Sequence, residues 1–550
     1  MHFLTIFPVC LLLAAVHIRC VHILPSELPV IETYSGRSYY GGPDYVCEHC
    51  NAFFWYQERV VSLSSYAQKR IVYHSCCRGG RISLPKHRPF PPPLCDLIRF
   101  NGGLAANSFM KLIRHYNSMF AFTSLGVDID RSINTGRGPY IFRINGVVHH
   151  RIGSLIPDEG NRPQYAQLYI YDTANEVQNR LAIHSSDANS DSMACPQVVE
   201  SLISMFDQCN PLVKEFRMAR DRLLSPTSPD VRIRLFGSSD TSADRYSLPA
   251  VNELAALIVG DISSSTHPFD IVLESCKGKF RRVPPIHPAL MALQYPILFP
   301  YGDKGYQLGI RFRDGCLGCQ GSRNEVSMME FYSYYQHYRR REPNPVLCSG
   351  RLSQQYGVNA YSCVEANRLS FHFFNQKNLR SETYQGISDA LCKGASTGKD
   401  VGIKTMLPAS YPGSRHNLNQ NYHDCMAISR AYGSPTLFTT FTCNANWPEI
   451  AEALRCEPGQ KPPDRADITS RVFHMKLQEY IDDIRSGDAY GPVTACENFP
   501  YLRFSHSSFV GVISVLLMFF SFCCSRRYYR VPKKRPSSCS HSYLAKQLRW

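Results

Sequence analysis

The sequence offers little that would anchor the chain in a membrane or hold it together through disulfides. Its apolar stretch from Phe509 to Cys524 has sixteen residues, whereas a membrane-spanning helix needs about 20. The apolar leader within residues 1–30 has the length of a signal peptide but lacks a basic n-region and a clear cleavage site. The 22 cysteines are scattered without the even spacing of a disulfide framework, which favours a reducing compartment.

The sequence also has no internal repeat and no complete phosphate-binding loop. The nearest approach to a Walker loop is GASTGKD, from Gly394 to Asp400. It has three residues between its glycines instead of four, and an aspartate stands where a Ser or Thr hydroxyl would bind magnesium. ATP is therefore not expected as a cofactor.

A third absence concerns histidine pairs. No two of the 19 histidines are separated by a single residue, and the adjacent His149 and His150 would point to opposite faces of a strand. The sequence thus encodes no local imidazole pair for a catalytic divalent metal, and such a metal is not expected either.

The composition is otherwise that of a basic, multidomain globular protein. The formal net charge of +15 suits a partner with a phosphate backbone, such as DNA. Part of the excess lies in the last 25 residues, where RVPKKRP (Arg530 to Pro536) resembles a nuclear-localisation run. A solvated charge cluster after an apolar segment would look the same.

Hydrophobic periodicity predicts an α+β fold. PYIFRINGVVHHRIGSL is predicted to be a hairpin turning at Asn145-Gly146, and QYAQLYIYD a strand. Helices are predicted over 327–342, 353–380 and 467–487, the last with one apolar stripe. We divide the chain into a leader (1–30), a Cys-rich module (31–100), two α+β regions (101–245 and 246–350), a further region (351–495) and a tail (496–550).

Two close-set cysteine clusters predict a structural zinc site. Cys47 and Cys50 would hold one side of the ion. The other side would come from Cys76 or Cys77 together with His74 or Cys95, because adjacent cysteines are not expected to share one ion. The alternative is a set of free cysteines buried beside Trp55.

A segment rich in tyrosine and arginine is the candidate DNA-binding surface. Arginines would contact phosphates and tyrosines would stack on bases. The alternative is a solvated helix end whose arginines favour the helix dipole. The residues are Tyr334, Tyr335, Tyr338, Arg339, Arg340 and Arg341.

The stretch LFTTFTCNANWPEI, from Leu437 to Ile450, is predicted to be a strand with a hydroxyl-lined face that leads through a polar turn into a helix. Together with other segments it resembles the N-terminal half of the replication-initiator/helicase proteins of Helitron transposons. The further matching segments, in the family's order, are CEHCNAFFWYQER, CCRGGRISLP, FRINGVVHHRIGSLIP, AQLYIYD, NPLVKEFRMARD, HPALMALQYPILFPYG, MLPASYPGSRHNLNQNYHDCMAISRAYGSP and RVFHMKLQEYIDDI.

The resemblance implies a rolling-circle transposition protein, nuclear and DNA-binding, with a nuclease domain built on an antiparallel sheet. The first nuclease motif would be carried by Phe438, Thr440, Thr442, Asn444 and Trp447. The family's His-x-His strand should follow Ala495, but does not, so we expect an incomplete nuclease domain without catalytic residues, and a tail from Cys496 that is foreign to the family. Two alternatives stay open: a membrane-anchored or secretory protein, if Phe509 to Cys524 is a real span, and a host-adopted, zinc-dependent DNA-binding module.

Overall fold

The computed structural model describes residues 9–10, 15–23, 39–65, 71–130, 134, 140, 142–183, 194–224, 231–235, 255–259, 271–274, 281–313, 323–340, 342–376, 407–433, 437–455, 458–486 and 493–498. The strands are β1 Val9–Cys10, β2 Ala15–Ile23, β3 Tyr45–Val46, β4 Phe53–Phe54, β5 Ser124–Ile129, β6 Arg143–Ile152, β7 Val231–Leu235, β8 Ala255–Val259, β9 Ile271–Glu274, β10 Arg281–Arg282, β11 Leu437–Thr442 and β12 Val493–Asn498.

The helices are α1 Leu94–Leu97, α2 Gly103–Phe120, α3 Glu176–Ala182, α4 Pro196–Cys209, α5 Pro211–Leu223, α6 Leu290–Gln294, α7 Met328–Tyr335, α8 Pro345–Cys348, α9 Arg351–Phe374, α10 Arg415–Tyr432, α11 Pro448–Leu454 and α12 Ala466–Ser486. Single 3-10 turns lie at Tyr56–Glu58, Val61–Leu63, Tyr165–Tyr169, Thr173–Asn175 and Pro462–Asp464. Helices and small antiparallel sheets together confirm the α+β class.

The largest hydrophobic core forms around α2 and the segment that contains α6. Every residue from His287 to Pro300 is buried, as expected for a packed segment punctuated by prolines. Asn117 of α2 donates a hydrogen bond to the Gln294 carbonyl oxygen at 2.9 Å, which satisfies a backbone acceptor that burial would otherwise leave unpaired. Helix α2 also contacts α9.

The predicted hairpin at Asn145-Gly146 is wrong. Residues 143–152 form the single strand β6, which pairs with β1, β5 and β10. Its register against β5 shifts between Gly126 and Asp128, which face His149 and Asn145 respectively. The Asn-Gly pair therefore lies at a β-bulge within a continuous strand. Pairing with strands from distant segments is more favourable here than a local turn.

The leader does not behave as a separate segment in this fold. Residues 15–23 form the middle strand of a three-stranded antiparallel sheet, between β11 and β12. The sequence AVHIRCVHI alternates in the manner of a strand over its first half. No helix in the described part of the chain is long and apolar enough to cross a membrane, and Phe509 to Cys524 lies outside that part.

Helical periodicity predicted α12 closely but placed the end of α7 too late. The helix predicted over 327–342 ends at Tyr335, so Tyr338, Arg339 and Arg340 lie in non-helical backbone. Helix α12 starts and ends within one residue of the predicted bounds, and the predicted stripe from Val472 to Ile484 is buried except for half-buried Tyr480. QYAQLYIYD, predicted to be a strand, instead contains the 3-10 turn Tyr165–Tyr169. There Ala166, Leu168 and Tyr169 are all buried, which a two-residue alternation would not allow.

Candidate metal centre and motif strand

Four cysteine sulfurs converge in the N-terminal module. The Sγ atoms of Cys47, Cys50, Cys76 and Cys77 all lie within 4.8 Å of one another, and all four residues are buried or half-buried. Cys77 Sγ is 3.7 Å from both Cys47 Sγ and Cys76 Sγ. The structure thus brings together the two clusters that the sequence singled out.

Two tight backbone turns present these sulfurs. In the first, Asn51 adopts a positive φ of 58° and its N–H bonds back to the Cys47 carbonyl. In the second, Gly80 has a φ of 86° and its N–H donates to Cys77 Sγ at 3.2 Å. A Cβ at Gly80 would lie 3.0 Å from the His49 ring, so this turn requires glycine.

The arrangement fits a tetrahedral metal ion. Sulfurs placed about 2.3 Å from a central zinc would stand about 3.8 Å apart along each edge of the tetrahedron. Two of the six sulfur–sulfur separations, at 3.7 Å, match that edge, and the other four are no longer than 4.8 Å. The four cysteines could therefore hold a metal ion, and their soft thiolates suit zinc.

The four thiols alter one another's pKa values. Hydrogen bonds from Cys47, Cys76 and Cys77, and to a smaller extent the Arg339 guanidinium, lower the pKa of Cys50. Hydrogen bonds with Cys47 and Cys50 raise the pKa values of Cys76 and Cys77. Four thiols this close cannot all ionise without a cation among them.

The ligand set differs from the predicted one in two respects. Adjacent Cys76 and Cys77 both reach the cluster, whereas only one of them was expected to. The chain turns back directly after Cys77, where the Ile82 N–H bonds to the Cys77 carbonyl at 3.0 Å. His74 and Cys95 lie outside the group, and half-buried His74 has a lowered pKa through burial and the nearby charges of His49 and Arg78.

Arg339 contacts the metal centre from a distant part of the chain. The residue is 4% exposed, and its guanidinium donates to the Cys50 carbonyl at 3.0 Å and to Cys50 Sγ at 3.5 Å. It also lies over the Tyr334 ring, 4.0 Å from the ring centre. Arg339 is therefore not available to a phosphate in this conformation, contrary to the surface role expected for it.

The other residues of the candidate DNA-binding set divide into two groups. The tyrosines are half-buried and contact protein: the Tyr335 ring lies 4.3 Å from the His87 ring, and the Tyr338 ring lies 5.9 Å from that of Phe53. Arg340 is exposed. Arg341 lies outside the described residues, so the structure leaves Arg340 as the described member that faces solvent.

A buried ion pair joins the Cys-rich module to α12. Arg471 donates to Glu58 at 2.7 Å and to the Phe53 carbonyl at 3.0 Å, and its side chain is 3% exposed. Beside this pair, fully buried Trp55 packs in a small core with Ile450 and Val472. Sequence analysis missed the pair, because neither charge stands out locally from the other charged residues of its segment.

The motif strand β11 is held by aromatic packing on one face. Half-buried Phe441 stacks on Tyr480 and Trp447 with ring centres 5.0 and 6.0 Å away, while Thr442 is exposed. Asn444 shapes the turn, since its side-chain oxygen accepts from the Asn446 N–H at 2.9 Å. The strand, turn and helix follow the predicted order; the side chains of Phe438 and Thr440 lie outside the described residues.

A second buried ion pair lies just after this turn. Lys476 of α12 donates to Glu449 of α11 at 2.8 Å, and its ammonium lies 5.3 Å from the Trp447 ring centre. Both residues are buried, so each charge is held by the other. The pair fixes Trp447, one of the predicted motif residues, against α12.

Comparison with known protein families gives a match, and it includes the strand β11 and its turn. No curated protein sequence matches the chain. A family model does match: residues 331–498 fit the Helitron helicase-like domain at N-terminus. The match begins within α7, contains β11 and the turn at Asn444, and ends with β12. Residues 331–498 are therefore similar to the helicase-like domain at the N-terminus of Helitron proteins, which confirms the resemblance for that part of the chain.

Proposed function

We propose that this chain is a DNA-binding portion of a Helitron-type rolling-circle transposition protein, stabilised by a structural zinc ion and inactive as a nuclease and as an ATPase. The family match over residues 331–498 is the observation that carries the proposal. The net charge of +15 supports DNA as the partner.

Zinc is the proposed ion because four converging cysteine sulfurs are typical of closed structural sites. Such a site leaves no open position for a substrate or a water. The role of the ion in this protein is to fix the Cys-rich module against α7 and α12. This view is compatible with a host-adopted zinc-dependent module as well as with a transposon protein.

Catalytic inactivity follows from the sequence of this chain. Nicking of DNA by the family's chemistry needs two imidazoles on one strand face to bind the ion that polarises the phosphate. None of the 19 histidines has a partner two residues away. The hydroxyl-bearing strand β11 would then be one wall of a site without its metal ligands.

Two assays on the full chain test this function. Fluorescence anisotropy with single-stranded and duplex oligonucleotides is expected to show binding that weakens as salt rises. Incubation of single-stranded DNA with Mg²⁺ or Mn²⁺ is expected to give neither cleavage products nor a covalent protein–DNA species on a denaturing gel. Absence of binding would refute the DNA-binding role, and either nicking product would refute inactivity.

Nuclear localisation is part of the same proposal. A fluorescent fusion of the full chain is expected to accumulate in the nucleus, and substitution of the lysines in RVPKKRP by glutamine should disperse it. A reticular signal would favour the membrane alternative instead.

A further inference from the structure

Outside the Helitron-like domain, the sheet of β5, β6 and β10 carries a concentrated basic face. Arg282 of β10 lies directly opposite Arg151 of β6, and Ser124 of β5 faces Arg151 from the other side. Both arginines are exposed. On β6 the neighbours of Arg151, His150 and Ile152, are buried, so alternation separates a core face from a basic solvent face. Beside Arg282, Val283 is buried whereas Arg281 is exposed.

The two arginines stand as close together as strand geometry allows. The Val283 N–H bonds to the His150 carbonyl at 2.9 Å, which makes 283 and 150 the hydrogen-bonded pair. The next pair, Arg282 and Arg151, is then of the non-hydrogen-bonded type, in which side chains approach most closely. Like charges directly opposite one another destabilise an antiparallel pair.

Nothing in the described structure offsets this repulsion. Neither guanidinium forms an ion pair with a carboxylate of the described residues. The acidic residues of β5 and its end lie elsewhere: Asp128 faces Asn145, about 13 Å along the strand from Ser124, and Asp130 pairs with Arg143 at 3.4 Å. Within the described residues, the arginine pair thus has no carboxylate counter-ion.

The residues around the arginine pair are small or polar. On the same face, Gly126 lies opposite His149, so a glycine and a serine border the basic residues. His149 is half-buried, and burial together with the charges of Arg282 and Arg151 lowers its pKa. The described side chains of this face are small or basic, which suits an extended polyanion better than a single enclosed phosphate or a lipid surface.

We propose that the face formed by Ser124, Gly126, His149, Arg151 and Arg282 binds the phosphodiester backbone of nucleic acid. The inference rests on the proposed DNA-binding function and adds a second contact surface, outside residues 331–498. Arginine is the residue best suited to it, since its planar guanidinium donates paired hydrogen bonds to phosphate oxygens. Binding there is independent of base sequence.

The test uses the full-length protein and a fluorescein-labelled single-stranded oligonucleotide, titrated at several salt concentrations. Each lost phosphate contact should make the slope of log K against log salt shallower by about 0.7. We therefore expect Arg151→Gln/Arg282→Gln to lower that slope by about 1.4. The matched control Arg99→Gln/Arg222→Gln removes the same charge from exposed helical or helix-adjacent positions, and its slope should stay unchanged.

A second measurement separates binding from folding. Because Arg151 and Arg282 repel each other in the free protein, the single variant Arg282→Gln should melt at the same temperature as the wild type or higher, while binding DNA more weakly. A lower melting temperature would show that the pair is structural and would overturn the proposal.

The remaining outcomes also decide the matter. An equal loss of slope in the control would show that net charge alone is responsible, and an unchanged slope in the arginine variant would show that this face is not used. Tighter binding to phosphatidylserine vesicles than to DNA would overturn nucleic acid as the partner. If the wild type bound no DNA at all, the proposed function itself would fail, which is distinguishable from failure of this surface alone.

Discussion

The Arg339 guanidinium donates hydrogen bonds to both the carbonyl oxygen and the sulfur of Cys50, a residue 289 positions earlier in the chain. Four thiolates and one divalent ion carry a net charge of about −2, so a buried cation beside the cluster offsets part of it. The same contact ties the Cys-rich module to the start of the Helitron-like domain, where Phe53 N–H also bonds to the Tyr338 carbonyl at 3.0 Å.

This contact predicts that Arg339 strengthens metal binding. Loss of hydrogen bonds to metal ligands typically lowers metal affinity about 10- to 100-fold, and we expect that range for Arg339→Gln. Competition with a chromogenic chelator measures it. Arg339→Lys should recover little, because lysine lacks the planar fork, and the exposed neighbour variant Arg340→Gln should behave as the wild type. Wild-type affinity in Arg339→Gln would contradict the role.

The sulfur cluster predicts one tightly bound zinc ion per chain. Cys47→Ser, Cys50→Ser, Cys76→Ser and Cys77→Ser should each lose the ion or hold it much more weakly, because each removes one of four thiolates. Elemental analysis of the purified protein gives the stoichiometry. His74→Ala and Cys363→Ser, which change a histidine near the cluster and a buried helical cysteine, should keep one ion; loss of zinc in His74→Ala would restore histidine to the ligand set.

The buried pair of Arg471 and Glu58 predicts a large stability effect. Removing one partner of a buried ion pair leaves the other charge uncompensated and costs about 3–5 kcal/mol, so Glu58→Gln should lower the free energy of unfolding by about that amount. Urea denaturation measures the change. Exposed Glu48→Gln is the matched control, and a loss under about 1 kcal/mol for Glu58→Gln would show that water reaches Arg471.

Buried His150 predicts a loss of stability in acid. Burial, with the nearby charges of Arg282 and His149, lowers its pKa to about 4, while an unfolded histidine titrates near 6.5. Between these values the unfolded chain binds a proton that the folded chain does not. The stabilising contribution is therefore complete above about pH 6.5 and decreases as the pH falls towards 4.

For His150 alone, this amounts to about 2 kcal/mol between pH 7 and pH 5. The urea midpoint of His150→Gln should accordingly depend less on pH than that of the wild type, whereas exposed His416→Gln should follow the wild type. An identical pH dependence in His150→Gln would show that His150 is already protonated in the folded protein.

Local pattern was sufficient where one segment carries its own signal. Helix α12 has an apolar stripe that repeats with the helical period, and Ser327 begins α7 as a capping box with Glu330. Asn145-Gly146 shows the limit of such signals. The pair favours a turn in isolation, yet β6 runs through it because β1, β5 and β10 supply partners from other parts of the chain.

At the candidate metal centre, too, local sequence signals identified some features and only the tertiary structure showed the others. Spacing identified Cys47, Cys50, Cys76 and Cys77 as candidates, but it could not show that the adjacent pair would both contribute, because this depends on the turn that follows Cys77. Nor could spacing show Arg339 beside Cys50 or Arg471 beside Glu58. In each case the partners are hundreds of residues apart, so only chain folding brings their charges together.

The amino-acid sequence by itself determined helix α12, the strand and turn from Leu437 to Asn446, the cysteines available to a metal and the absence of a His-x-His pair, because each is a property of neighbouring residues. The tertiary structure alone decided which cysteines converge, which arginines are buried and which face solvent, and which strand lies beside β11. Those features depend on burial and charge pairing between distant segments, and no local pattern specifies them.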